Sequence, residues 1–215
     1  MAEIRKTSRQ LQAERAKEKI QQIVFEMAKT KTLEEIKIKD IARRADMSVG
    51  NFYQYFPSKE AALLYSYKTK DDVWASLGLE NIKDPLDRVQ RIIVAHITSL
   101  VENSLCFDTQ LYIAQLKEFD AYFFTDDRFV HKAIYRAVEE GQKNGQFITT
   151  LSPKQIGLRL LNFTRGSLYN YCTERRENHD KWLEYILTRQ SEYMSLFVTD
   201  KSKIRLREIL EELTK

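Results

Sequence analysis

Apolar residues recur three and four positions apart through the N-terminal quarter of the chain, with charged residues between them. This spacing places apolar side chains on one face of a helix, and it predicts helices over residues 10–29, 37–45 and 49–56. The turn Asp46-Met47-Ser48 separates the second helix from the third, and Pro57 ends the third because proline lacks a backbone donor. Ser58 is expected to cap a fourth helix that carries Glu60 in its first turn.

The rest of the chain shows the same spacing in longer segments. Two of these segments open with a capping residue followed by proline, Asp84-Pro85 and Ser152-Pro153, an arrangement that starts helices. The chain contains only 6 Gly and 3 Pro, fewer than the tight turns of a sheet protein require, so an all-α fold is expected. The predicted helices cover residues 84–103, 108–119, 126–144, 152–175, 180–198 and 203–213.

Residues 37–56 carry two short amphipathic helices separated by a short turn, the arrangement typical of a helix-turn-helix. Their apolar side chains can pack together, which leaves Asn51, Tyr53 and Gln54 outward on the second helix, beside Gly50. Side-chain amides can make paired hydrogen bonds to adenine, tyrosine hydroxyls bind phosphate oxygens, and glycine permits a close approach of the backbone. The segment predicts DNA binding in the major groove.

The formal charge of +4 is confined to the N-terminal quarter of the chain. Residues 1–60 contain 13 Lys and Arg against 9 Asp and Glu, whereas the other residues contain 22 of each sign. An excess of positive charge beside a helix-turn-helix is where attraction to DNA phosphates is expected. Chance variation of surface charge is the alternative explanation.

The segment IKDIARRADMSVGNFYQYFPSKEAALL resembles the DNA-binding domain of the tetracycline-repressor (TetR) family, and the resemblance covers about residues 13–65. It implies a small three-helix DNA-binding domain in residues 1–62 and a larger helical domain for effector binding and dimerisation in residues 63–215. It also implies base contacts from the third helix and phosphate contacts around it. The residues expected to bind DNA are Lys39, Arg44, Ser48, Val49, Gly50, Asn51, Tyr53, Gln54 and Lys59.

Two positions depart from the family pattern. Lys37 stands where many members carry Ser or Thr at the start of the second helix, and Asp46 stands where many carry Gly in the turn. The turn position is expected to be left-handed, a conformation that Asp tolerates better than most residues. Neither departure changes the expected fold, but Lys37 leaves the detailed phosphate contacts open.

The helix predicted over residues 180–198 is apolar on two sides. One side consists of Leu183, Ile186, Leu187, Met194 and Phe197, and the other of Trp182, Tyr185, Arg189, Tyr193 and Leu196. Such a helix needs two partners, and the second partner is either another subunit or the core of the same subunit. Small residues in the preceding helix permit a close approach. The residues predicted for a homodimer interface are Gly166, Ser167, Leu187 and Tyr193.

Aromatic residues are dense in the middle of the chain, where the resemblance implies a pocket for a small-molecule effector. Aromatic stripes are more often core than binding site, and the sequence does not identify the ligand. Asn162 and Arg165 are polar positions in an otherwise apolar helix, and they either orient an acidic or amide-bearing ligand or face the surface. The candidate pocket residues are Trp74, Phe107, Tyr112, Phe119, Tyr122, Phe123, Asn162, Phe163 and Arg165.

Signals for other classes of protein are weak. His96, His131 and His179 have no partners at metal-ligand spacing, and the sequence contains no glycine-rich phosphate loop, so no catalytic residue, metal or cofactor is expected. Cys106 and Cys172 lie far apart, which favours a reducing cytoplasm without deciding whether they pair. No apolar run reaches the roughly 20 residues that span a bilayer.

These features together predict a cytoplasmic, ligand-responsive transcriptional repressor that binds a palindromic operator as a homodimer. An activator is the mildest alternative. A helical interaction protein without DNA binding and an enzyme on a similar scaffold are the alternatives of other classes. Saturable, salt-sensitive binding to a palindromic duplex distinguishes a regulator from both.

Overall fold

The structure is a computed structural model that describes residues 7–101, 104–118, 125–174 and 179–213, except for the side chains of residues 66–74, 99–101 and 179–180. Within these ranges the one strand-like pairing is an isolated antiparallel bridge between Phe147 and Val198, so the expected all-α fold is confirmed. Single turns of 3-10 helix lie at Leu79–Asn81 and Asp200–Ser202. The α-helices are α1 (Ser8–Ala28), α2 (Ile38–Ala45), α3 (Val49–Tyr55), α4 (Lys59–Ser76), α5 (Pro85–Val101), α6 (Leu105–Glu118), α7 (Phe129–Lys143), α8 (Pro153–Glu174), α9 (His179–Met194) and α10 (Lys203–Leu213).

Helix ends follow the local signals that the sequence contains. The Ser48 hydroxyl accepts a hydrogen bond from the amide of Asn51 at 3.1 Å, and the Ser58 hydroxyl accepts one from the amide of Ala61 at 2.8 Å. Both serines cap helix N-termini, as the sequence predicts. Gly145 follows the end of α7 with a φ of 72°, a conformation that glycine adopts without steric cost.

α9 is shorter than the sequence predicts, since it ends at Met194. The turn after it pairs with the loop between α7 and α8. The amide of Ile148 donates to the carbonyl of Phe197, and the amide of Thr199 donates to the carbonyl of Gln146, each at 2.9 Å. Because these backbone groups bond across two loops, they are not available to extend the helix. A contact distant in sequence therefore ends α9.

Contacts between Cα atoms divide the chain into two compact units. The N-terminal unit comprises α1 to α3, α4 as far as Lys70, and α6, and the C-terminal unit comprises α5 and α7 to α10. The domain boundary at residue 62 stays a prediction from the sequence. What the structure adds is that α6 groups with the N-terminal helices although it follows α5 in the chain.

α6 is attached to the N-terminal unit by a buried hydrogen bond and an aromatic contact. The side-chain carbonyl of Gln110 accepts a hydrogen bond from the amide of Leu33 at 2.8 Å, and both side chains are buried. The rings of Phe25 and Phe107 lie 4.6 Å apart between centroids. α6 therefore holds both α1 and the turn that follows α1.

A glycine allows α7 and α8 to cross closely in the C-terminal unit. A Cβ atom on Gly157 would lie 2.6 Å from the ring of Tyr135, so any larger residue would force the two helices apart. α8 is joined to α9 by a buried polar pair, because the hydroxyl of Thr164 donates to the side-chain carbonyl of Gln190 at 3.2 Å. Both side chains are fully buried, and a satisfied pair of this kind fixes how the helices align.

An ion pair joins α10 to the start of α5. The guanidinium of Arg205 lies 3.2 Å from the carboxylate of Asp84, which also accepts hydrogen bonds from the side chain of Gln146 at 2.8 Å and from the amide of Leu86 at 3.0 Å. Partial burial raises the pKa of Asp84, but the hydrogen bonds from Gln146, Arg205 and Leu86 outweigh it, and the pKa is lowered overall. The ionised carboxylate thus joins α5, α10 and the loop after α7.

We expect Asp84→Asn to lower the free energy of unfolding by about 1 kcal/mol near neutral pH, because asparagine can still cap α5 but loses the ion pair with Arg205. A lowered pKa stabilises the folded protein above the unfolded-state pKa of about 4, and this stabilisation is lost as the pH falls through the folded-state value. Denaturant unfolding of both proteins from neutral pH to about pH 2 measures the difference. The two stabilities should converge in acid; a difference independent of pH would contradict the role of the ion pair.

Candidate nucleic-acid interface

α2 and α3 form the helix-turn-helix that the sequence predicts. α2 ends at Asp46, whose φ of 59° and ψ of 48° are left-handed, and the amide of Met47 donates back to the carbonyl of Ala42 at 3.0 Å. Asp46 is the one non-glycine residue with a positive φ in the described part of the chain. Ile41 on α2 and Phe52 on α3 are fully buried, so the apolar sides of both helices face the core of the unit.

The opposite side of α3 is exposed. Val49 is 42% exposed and Tyr53 is 53% exposed, and the side chains of Asn51 and Gln54 are exposed without a hydrogen bond to any described residue. A short helix that presents an apolar side chain and two uncommitted amides has the groups that read base edges in the major groove. The site residues that the structure brings together on this surface are Ser48, Val49, Gly50, Asn51, Tyr53 and Gln54.

Cations flank the exposed side of α3. Lys39 and Arg44 on α2 are exposed and form no ion pair with the residues that the structure describes. Arg43 was not among the residues predicted to bind DNA, although its side chain is 78% exposed and pairs only with the neighbouring Asp40, at 3.3 Å. The position of Arg43 beside Arg44 in the last turn of α2 is the signal that could have added it to the residues predicted to bind DNA.

Two lysines near this surface donate to carbonyls of the turn between α1 and α2. The ammonium of Lys59 donates to the carbonyl of Leu33 and, at 2.9 Å, to the carbonyl of Ile36. The ammonium of Lys37 donates to the carbonyl of Glu34 at 3.1 Å, and Lys37 does not cap α2 with its side chain. Lys59 is therefore a structural residue whether or not it also meets phosphate, and its phosphate contact stays a prediction.

Gly50 has no neighbour in the protein that requires glycine. A Cβ atom at this position would find its nearest atom, the Ser48 hydroxyl oxygen, at 3.7 Å, which is an ordinary contact. Gly50 lies in the first turn of α3 with helical backbone, so an alanine would fit. The folded chain therefore offers no reason for glycine here, whereas a closely approaching duplex would.

The predicted pocket residues fall in different parts of the fold. Phe107 and Tyr112 belong to the N-terminal unit, where Phe107 is core. Asn162 and Phe163 belong to the C-terminal unit: Asn162 is exposed, and Phe163 stacks on Tyr193 with 4.4 Å between ring centroids. The side chain of Trp74 and the whole of Phe119, Tyr122 and Phe123 lie outside the described residues. The pocket assignment stays a prediction.

Arg165 is held by neighbours in the C-terminal unit. One guanidinium nitrogen donates to the side-chain carbonyl of Asn162 at 3.3 Å, and the other lies 3.1 Å from Nε2 of the buried His131. Because a guanidinium only donates hydrogen bonds, Nε2 is the acceptor in this contact. Arg165 is thus oriented by α7 and by its own helix.

An exposed aromatic surface, which we call the α8–α9 face, is formed by Phe163, Tyr185, Tyr193 and Leu196. Tyr185 and Leu196 are 50% and 65% exposed. A cavity of about 200 Å³ opens beside Phe163 and Tyr185 and is also lined by Ser167 and Arg189. Gly166 is exposed, and a Cβ atom there would meet nothing within 4 Å.

Leu187 and Trp182, which the helical pattern places on different sides of α9, are both buried within the subunit. Leu187 was predicted to lie in the dimer interface, but it is only 4% exposed within its own chain, so little of it is left for a partner. Trp182 is also 4% exposed, and its ring lies 4.1 Å from that of Tyr171 on α8. α8 covers more of α9 than the helical pattern of α9 alone indicates.

The described ranges contain no helix that combines the length and the apolar composition needed to cross a membrane. No three of their His, Cys, Asp and Glu side chains are grouped so that they could hold a metal ion.

Known proteins resemble the chain in sequence over one N-terminal segment and in fold over most of its length. Residues 26–72 match the sequence model of the bacterial regulatory proteins of the tetR family. No curated protein matches the chain by sequence.

Solved structures share the fold at low sequence identity. A Rhodococcus protein described as a TetR-family transcriptional regulator superposes with a TM-score of 0.62 at 19% identity, covering 84% of this chain and 99% of that one. RolR in complex with the ligand resorcinol gives 0.62 at 17% identity, covering 93% and 95%. The fatty acid degradation regulator FadR from Bacillus halodurans gives 0.61 at 13% identity, covering 84% and 93%.

The two levels of resemblance agree with the geometry of the site. The matched segment, residues 26–72, contains the whole helix-turn-helix with its exposed side chains and its left-handed turn at Asp46. The structural likeness extends over most of the chain and shows that the other helices share the fold of these solved structures. Residues 26–72 carry the sequence pattern of the tetR family of bacterial regulatory proteins, in a chain that has the fold of solved TetR-family regulators.

Proposed function

We propose that the protein is a ligand-responsive transcriptional repressor that binds a palindromic operator as a homodimer. The observation that carries the proposal is the exposed side of α3, where the side chains of Asn51 and Gln54 have no hydrogen-bond partner among the described residues. Uncommitted amides on a helix beside the cations Lys39 and Arg44 match the division of DNA contacts into base edges and phosphates.

Dimerisation is supported by the α8–α9 face. Its exposed members are large and apolar, and an apolar face of this kind marks an interaction surface more often than a solvated one. A two-fold axis through this face would make the same surface of both protomers meet. Two reading helices related by that axis require two half-sites in inverted orientation.

Response to a ligand is supported by how α6 is attached. Gln110 holds the amide of Leu33, and the carbonyl of Leu33 is in turn held by Lys59 at the start of α4. A displacement of α6 would disturb the turn that positions both α1 and α4. A ligand regulates only if it binds the DNA-competent and DNA-incompetent states with different affinity. Solved relatives of the same fold include the complex of RolR with resorcinol.

Selection of duplexes from a random pool tests the proposal directly. The protein should enrich an inverted repeat whose half-site centres lie about one helical turn, or a multiple of it, apart. Binding should be saturable and should weaken steeply with salt. Enrichment of no sequence, or binding insensitive to salt, would contradict operator binding. Reconstituted transcription from a promoter carrying the selected site should be reduced by the protein, and an increase would identify an activator instead.

A further inference from the structure

The first half of α1 stands apart from the core. α1 has 21 residues, and its first buried residue is Ile20, so none of residues 8–19 is buried. A capping box nevertheless starts the helix: the hydroxyl of Thr7 accepts from the amide of Gln10, and the side chain of Gln10 accepts from the amide of Thr7. We call residues 8–19 the α1 extension. About twelve helical residues are marginal in isolation, so burial does not explain why this helix is as long as it is.

One side of the α1 extension is basic. Arg9, Gln12, Arg15 and Lys19 follow each other at intervals of three and four residues, which places them in one stripe along the helix. Arg9, Arg15 and Lys19 are exposed and form no ion pair with the described residues. Arg15 and Lys19 are like charges four residues apart, which destabilises an isolated helix. We call these three cations the basic stripe.

The orientation of the helix turns the basic stripe to solvent. Lys17 lies on the side of α1 opposite to Arg15 and Lys19, as positions two apart in a helix do. Its ammonium lies over the ring of Tyr65 on α4, 5.8 Å from the centroid. That contact directs the Lys17 side toward the N-terminal unit, so Arg15 and Lys19 point away from it, while Arg9 is exposed near the start of the helix.

We propose that the basic stripe is a second DNA contact, which binds the phosphate backbone of the duplex whose bases α3 reads. The inference rests on the proposed DNA binding and adds a surface that neither the helix-turn-helix nor its flanking cations include. Charge complementarity is the main argument, since the stripe is exposed and has no counter-ion among the described residues. It lies in the same compact unit as Lys39 and Arg44, so it adds three further cations to the unit that carries the helix-turn-helix.

The dimensions of the stripe fit a nucleic-acid backbone. Arg9 and Lys19 are ten residues apart in sequence, which corresponds to about 15 Å along a helix axis. One strand of a duplex carries a phosphate for roughly every 3.4 Å of its axis, so a length of about 15 Å offers about four phosphates. Three cations on long, flexible side chains can each reach one of them. Such contacts hold DNA without reading its sequence.

The test compares two triple variants of the full chain. In the first, Arg9, Arg15 and Lys19 are replaced by alanine, which preserves the helix because alanine favours it. In the control, Lys83, Lys201 and Arg207 are replaced by alanine; these are exposed cations of the C-terminal unit without an ion pair to the described residues. Both variants lose the same formal charge. Circular dichroism and thermal unfolding should show both folded like the parent.

The measurement is the dependence of DNA affinity on salt, for the selected operator and for a mixed-sequence duplex of the same length. Each phosphate contact removed lowers the slope of log affinity against log salt by about 0.9. The stripe variant should therefore lose up to about 3 from the slope per protomer, equally on both duplexes, while the control keeps the parent slope and the preference for operator persists in both.

Equal slopes for the stripe variant, the control and the parent would overturn the inference and leave operator binding by α3 intact. That result would instead favour an acidic protein surface as the occupant of the stripe. A parent protein that showed no salt-dependent DNA binding would overturn the inference and the proposed function together. A stripe variant that lost the operator preference but kept the salt slope would also contradict the proposed role, because phosphate contacts carry no sequence information.

Discussion

Leu196→Glu is expected to convert the dimer into a folded monomer and to weaken operator binding by about a hundredfold or more. Leu196 is 65% exposed in the subunit, so the substitution should leave the subunit's own stability nearly unchanged. A carboxylate placed without a partner in an interface is costly. A monomer reaches only one half-site and loses the affinity that linking two sites provides, about 10² to 10⁴. Light scattering and operator titration measure the two effects.

Ile204→Glu is the matched control for Leu196→Glu. Ile204 on α10 is equally exposed, at 65%, but it does not belong to the α8–α9 face, so this variant should stay dimeric and bind operator like the parent. Leu187→Glu should behave differently from both, since Leu187 is buried in its own chain and a buried charge unfolds the subunit. Dissociation by Ile204→Glu but not by Leu196→Glu would place the interface elsewhere.

Asn51→Ala and Gln54→Ala are each expected to weaken operator binding by about 1–3 kcal/mol per half-site and to relax the preference at one position of each half-site. Two half-sites double the loss for the dimer. Both side chains are exposed and neither forms a hydrogen bond with another described residue, so the thermal stability of the variants should match that of the parent. Titration against the operator, single-position operator variants and a scrambled duplex resolves affinity from specificity.

Tyr53→Phe and Lys39→Ala are the controls that distinguish phosphate contacts from base contacts. Both side chains are exposed and are expected to meet phosphates, so these variants should weaken binding to all duplexes alike. Lys39 serves better than Lys59, because Lys59→Ala would leave two carbonyls without a donor and destabilise the N-terminal unit by about 1–3 kcal/mol. If Lys39→Ala altered sequence preference while Asn51→Ala left it unchanged, the assigned roles would be wrong.

The helix-turn-helix could be predicted from local signals in the sequence alone. The capping roles of Ser48 and Ser58 and the left-handed conformation of Asp46 depend on interactions within a few residues, which a single sequence displays. The helical spacing of apolar residues likewise identified Phe52 as core and Asn51 and Gln54 as outward. The exposed side of α3 was predictable because period and capping act over one or two turns of a helix.

Contacts between distant segments were decided only by the tertiary structure. The end of α9 at Met194 depends on backbone pairing with the loop after α7, and no pattern within α9 signals that loop. Trp182 is core because Tyr171 on α8 packs against it, and Leu187 is buried within the same subunit, whereas their own helix shows merely that they are apolar. Periodicity identifies which residues share a face but not what lies against that face.

The role of Lys59, in the predicted DNA-binding region, also depends on contacts between segments that are distant in sequence. Its position in the family-like segment predicts a phosphate contact, and its charge is visible in the sequence. Its two carbonyl acceptors lie 26 and 23 residues away, in the turn after α1, and Gln110, 77 residues from Leu33, holds that same turn. The sequence by itself determined which residues could bind DNA; the fold decided which of them are also needed to hold the reading helix in place, because that depends on chain segments that meet only after folding.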